Sequence, residues 1–98
     1  MSEILEKEKV TLKMKPPKMW QVVFFNDDFT PFEFVMFVLM DIFNKNQEEA
    51  WLITQKVHQE GKSIVGQYPF DIAQTKQQKT IDLARENEFP LQVEIQQM

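Results

Sequence analysis

One run of residues, apolar on nearly every side, dominates the first half of this 98-residue chain. In PFEFVMFVLMDIFN, ten of the thirteen residues from Phe32 to Asn44 are apolar, and the polar ones, Glu33, Asp41 and Asn44, fall on one line at a 100° step. A helix with that pattern must be buried over most of its circumference, so the rest of the chain has to wrap around it. Phe37 and Met40 share the polar line, which puts two large apolar groups at the surface or against another element. Ahead of the run, Thr30-Pro31-Phe32-Glu33 combines an N-cap hydroxyl, a first-turn proline and a Glu at N3. A capping box is therefore expected to start the helix at Thr30 and carry it to about Asn44.

A chain of this length suits one core rather than two. Residues 1–18 mix charges with few aromatics and close on Pro16-Pro17, so they are expected to form a flexible N-terminal extension to a core domain over 19–98. Residues 19–25, MWQVVFF, read as a strand that is apolar on both faces. Asn46 and Glu49 form a second capping-box signature and Gly61 is the matching C-terminal residue, which predicts a helix over about 47–60 with Ala50, Ile53 and Val57 inward and Thr54 beside them. SIVGQYPF, 63–70, reads as a strand interrupted at Gly66 and ended by Pro69. Asp71 and Gln74 are expected to cap a third helix to about Glu86, and LQVEIQ, 91–96, alternates as a half-buried antiparallel strand. The order βααβαβ predicts an α+β fold, with a three-stranded antiparallel sheet packed on three helices.

Composition narrows the function classes. A formal net charge of −4 argues against a basic face for nucleic acid. No Cys is present, which excludes disulfides, thiolate zinc sites and cysteine nucleophiles. The longest apolar run, near 34–40, is far short of the roughly 20 residues of a membrane helix. The opening MSEILEKEK is charged and has no apolar stretch of the secretory kind. A soluble intracellular protein, without a membrane role, is the expectation.

Two features carry chemistry. Asn26-Asp27-Asp28 stands between aromatic side chains just before the apolar helix. Asx side chains there can bond to the local backbone and shape a turn, and residue types alone favour that reading. Carboxylates beside a helix N-terminus and an apolar wall also suit a ligand that is cationic at one end and greasy at the other, such as a peptide's α-ammonium with its first side chain. His58, the single histidine, is either a packed residue of the second helix or a ligand contact; with no Cys and no second His, no metal and no cofactor are expected. No nucleophile motif such as G-x-S-x-G occurs, so catalysis is not expected.

Four stretches, KPPKMWQVVFFNDDFTPFEFV, EEAWLITQKVHQEGK, IAQTK and LARENEFPL, together resemble the ClpS family, adaptors that deliver substrates to the ClpA–ClpP protease. The resemblance runs over about residues 15–96. It implies a module that recognises N-degrons, free N-termini beginning with Phe, Leu, Trp or Tyr; a non-enzymatic, cytoplasmic monomer is the expectation. It further implies that Asn26, Asp27 and His58 hold the α-amino group, with Asp28 and Thr30 contributing at the loop. Phe32, Val35, Thr54, Val57 and Leu91 would line the side-chain pocket, with Phe25 nearby. Asp71 and Lys76 would mark the surface that docks on the N-terminal domain of ClpA, and the N-terminal extension would act on the unfoldase.

The chain departs from the family pattern at Phe32 and Thr54, where relatives commonly carry Met at the pocket gate and wall. A reshaped pocket is expected, since Phe is stiffer than Met and Thr is smaller. Phe37 and Met40 also stand where relatives often have polar groups. The alternative reading is an interaction domain that grips a protein partner through Phe37 and Met40 and uses no peptide pocket; related folds serve other roles, so fold alone does not choose.

Overall fold

The computed structural model describes residues 16–98; most of the expected extension, residues 1–15, lies outside the described residues. Strand β1 spans Met19–Phe25, helix α1 Phe32–Asp41, helix α2 Gln47–Glu60, strand β2 Lys62–Pro69, helix α3 Phe70–Glu86 and strand β3 Gln92–Gln97. This is the expected βααβαβ order. The sheet is antiparallel throughout with β1 in the centre, in the order β2-β1-β3.

The central strand explains the apolar composition of MWQVVFF. Val22 and Phe24 face the helices and are fully buried, and Val23 on the opposite pleat is buried between its partners Ile64 and Glu94. The register of β1 on β2 shifts between Val22 and Val23, which pair with Gly66 and Ile64, so Val65 is the extra residue of a bulge. The core gathers Val22 and Phe24 with Val35, Val38 and Leu39 of α1, Ala50 and Val57 of α2, and Ala73 and Ala84 of α3. Phe24 meets Phe43 edge-on at 5.5 Å, and Phe34 meets Phe89 at 4.9 Å. Each such pair contributes about 0.5–1.5 kcal/mol beyond its burial.

Both ends of α2 form as the sequence predicts. The Asn46 side chain accepts from the Glu49 N–H, the Glu49 carboxylate accepts from the Asn46 N–H, and Gly61 closes the helix in the left-handed region at φ 88°. The two other helix starts differ from expectation. Helix α1 begins at Phe32 with Pro31 as its N-cap and no side-chain cap, because the Thr30 hydroxyl is turned to Asp27 instead. It ends at Asp41, before the expected Asn44; Asn44 itself takes a left-handed conformation (φ 55°) that turns the chain, and the Lys45 N–H donates to the Leu39 carbonyl. Helix α3 follows β2 without a loop, with Pro69 as N-cap, so Asp71 sits inside the first turn and does not cap it. There its charge still suits the positive end of the helix.

Helix α1 is buried on the side of Val35, Val38 and Leu39, while Phe37 and Met40 are 53% and 42% exposed. Lys76 of α3 is half-buried. Its ammonium donates to the Ile42 carbonyl at 2.7 Å and lies over the rings of Phe43 and Tyr68 at 5.7 and 5.3 Å.

Candidate functional site

One backbone hydrogen bond assembles the site. The Asn26 N–H, at the end of β1, donates to the carbonyl of Gly61, the residue that ends α2, at 2.9 Å. This joins the Asn26–Thr30 loop to the last turn of α2, where His58 stands, and the start of α1 packs alongside. A cavity of about 310 Å³ opens where the three meet. Asn26, Asp27, Asp28, Thr30 and His58 form its polar side, and Phe32, Val35, Thr54 and Val57 its wall.

The Asp27 carboxylate organises the loop. Its Oδ1 accepts from the N–H groups of Phe29 and Thr30 at 2.8 and 2.7 Å, and its Oδ2 accepts from the Thr30 hydroxyl at 2.7 Å. The turn reading of the sequence is therefore realised at this residue. Partial burial pushes the Asp27 carboxyl up, but the Thr30 hydroxyl, the two backbone donors and the Arg85 guanidinium outweigh it and hold the group below its ordinary value. A carboxylate has about four acceptor positions, so three loop bonds leave roughly one on Oδ2. Turn duty and ligand duty are compatible, because the bonds that shape the loop also keep the remaining acceptor ionised.

The wall is less polar than its residue names suggest. Thr54 is buried, and its hydroxyl donates to the Ala50 carbonyl one turn back at 2.7 Å, leaving its methyl as the part free to meet the cavity. Phe32, on the first turn of α1, is 36% exposed and stands at the rim.

Two residues expected at the pocket are not part of its lining. Phe25 is adjacent to the buried Phe24, so the strand pleat turns it to the opposite face, where the Lys62 ammonium lies 6.0 Å from its ring. Leu91 is fully buried in the core just before β3 and is not part of the lining. Asp71 is exposed on the first turn of α3, away from the cavity lining, and Lys76 is held by the Ile42 carbonyl.

Arg85 is not among the expected site residues. It is the chain's one arginine, and its Nη1 donates to the carbonyls of Phe89 and Leu91 at 2.8 and 3.0 Å. That clamp shapes the turn whose Phe89 packs on Phe34 of α1, and the same positive charge acts on Asp27. Its place in the ARENE motif was the available signal. Among the described residues, no cluster of three His, Asp or Glu side chains could hold a metal, and no helix is long and apolar enough to cross a membrane.

Residues 15–94 match the sequence pattern of the family described as ATP-dependent Clp protease adaptor protein ClpS. An ATP-dependent Clp protease adapter protein ClpS from Nitrosospira multiformis is 45% identical over 89 residues, covering 91% of this chain and 85% of its own length. A second, from Paraburkholderia xenovorans, is 46% identical over 85 residues, covering 87% and 82%. The structure of Agrobacterium tumefaciens ClpS2 bound to L-phenylalaninamide superposes with a TM-score of 0.81 at 34% identity, over 85% of this chain and 100% of that one. With its three-helix, three-stranded fold and a family match over most of its length, the chain belongs to the ClpS family of ATP-dependent Clp protease adaptor proteins.

Proposed function

We propose that this adaptor works without catalysis: it binds free N-termini that begin with Phe, Leu, Trp or Tyr and delivers them to a ClpA–ClpP protease in the cytoplasm. The observation that carries the reading is the division of one cavity into two chemistries, acceptors on one side and an apolar wall on the other. An α-ammonium leaving water needs an acceptor for each N–H, and each such charged bond is worth about 1.5–3 kcal/mol. The remaining position on Asp27 Oδ2, the Asn26 side-chain oxygen and a His58 ring nitrogen supply three, with Asp28 adding negative charge. The first side chain then meets Phe32, Val35, Val57 and the Thr54 methyl. L-phenylalaninamide, bound by the Agrobacterium relative, has the same pair of chemistries, a free α-amine beside a benzyl group.

Delivery needs a second surface. Asp71, exposed on the first turn of α3, and Lys76, whose ammonium is held in place at the Ile42 carbonyl, are its proposed contacts with the unfoldase N-terminal domain. The test of recognition is a titration of a Phe-initiated peptide against its N-acetylated twin. Acetylation removes the charge and one or more donors, so binding should be lost; equal affinities would refute the reading. The exposure of Phe37 and Met40 favours a compatible second role, a protein contact on the outer face of α1.

A further inference from the structure

The cavity at the start of α1 has a neighbour on the same helix pair. Helices α1 and α2 are joined by only five residues, so they run as a hairpin, with the start of α1 beside the end of α2. A second, shallower depression of about 500 Å³ lies toward the other end of that hairpin, walled by Met36 of α1 and Trp51 of α2 and edged by Glu48. At a 100° step Met36 lies only 40° from Phe32 on α1, and Trp51 only 20° from His58 on α2. The two depressions thus lie along one seam between α1 and α2, on the same side of each helix. Trp51 is 47% exposed there, a large aromatic face that the domain leaves partly uncovered.

We infer that this depression is a second subsite, which takes an apolar side chain from residue three or four of the same peptide whose N-terminus occupies the first cavity. The inference rests on the N-terminal recognition proposed above. Its occupant follows from continuity and length. One to two helical turns separate the subsites, about 5–11 Å along the axis. An extended peptide covers that in roughly two to three residues at about 3.3 Å each. A chain anchored by its first residue and lying along that seam therefore reaches Met36 and Trp51. Its chemistry is set by the walls: a thioether and an indole face suit Leu, Met or an aromatic group.

The test compares L-phenylalaninamide, a Phe-initiated hexapeptide with serine at positions two to six, and the same hexapeptide with one Leu at position three or four. The wild-type protein should bind one of the Leu peptides about fivefold more tightly than the serine peptide, a modest share of the gain from fully burying a leucine. Trp51→Gln should abolish that gain and leave L-phenylalaninamide binding unchanged, which also reports an intact fold. Equal wild-type affinity for serine and Leu peptides overturns the subsite while leaving N-terminal recognition standing, and so does a Trp51→Gln protein that keeps the gain. If Trp51→Gln instead lowers self-association in sedimentation and leaves the peptides unaffected, the depression is a contact between copies and the inference fails. Failure of L-phenylalaninamide and every peptide to bind the wild type overturns both readings at once.

Discussion

The Thr30 hydroxyl donates to Asp27 Oδ2 at 2.7 Å, so a residue placed to cap α1 serves the carboxylate of the preceding loop. Thr30→Ala removes a hydrogen bond to a charged group and should lower stability by about 1.5 kcal/mol in urea denaturation. Thr30→Ser keeps the hydroxyl and should restore most of that. If the Ala and Ser variants are equally stable, the hydroxyl is idle.

Asp27 gives a pH signature whose sign follows from its lowered pKa. Its ionised form is favoured in the folded state, so the stabilisation is fully present above the ordinary aspartate value of about 3.9 and is lost as pH falls through the lower folded value. The stability gap between wild type and Asp27→Asn should therefore be constant near neutral pH and close in acid. Peptide binding should weaken over the same acid range, as protonation removes an acceptor; fluorescence anisotropy from pH 7 down to 3 reads it.

Thr54 sets the depth of the pocket wall. Because its hydroxyl is bonded to Ala50, Thr54→Val should leave the affinity for Phe-initiated peptides within about twofold. Thr54→Met extends the wall into the cavity and should weaken Trp-initiated peptides more than Leu-initiated ones. A panel differing only in the first residue measures the ratio.

Lys76 is anchored to a carbonyl and two rings, so replacing it disturbs the fold as well as any docking. Lys76→Met should lower stability by about 2 kcal/mol, since the Ile42 carbonyl loses a charged donor. Asp71→Ala touches no such network and should change stability by less than about 1 kcal/mol. Loss of unfoldase binding in the Asp71 variant therefore isolates docking.

Gly66 leaves room for a ring. A Cβ there would lie 2.5 Å from the Tyr68 hydroxyl and 2.8 Å from its Cε2. Tyr68 is flanked by Phe43 and Lys76, so it cannot simply swing away. Gly66→Ala should cost about 1–3 kcal/mol, measured by thermal or chemical denaturation.

Features that depend on neighbours in the chain were legible in the sequence. Helix α2 is bounded as read because Asn46 and Glu49 bond to each other's backbone across three residues, and because Gly61 needs only its own freedom at φ 88°. The alternation of β3 and the exposed line of Phe37 and Met40 follow from periodicity alone, and the paired motifs around Asp27 and His58 pointed to the family and to residues that line one cavity. The start of α1 was not legible, because Thr30 had two bonds within reach. The sequence does not say that Asn26 is tied to Gly61, 35 residues away, which sets the loop holding Asp27 beside it. The same is true of Phe25, turned from the pocket by the pleat of the strand that buries Phe24, and of Leu91, drawn wholly into the core. Sequence by itself determined the elements, their order and the chemistry gathered near the cavity. Tertiary structure decided which side chains reach it, because that depends on long-range contacts that no local pattern encodes.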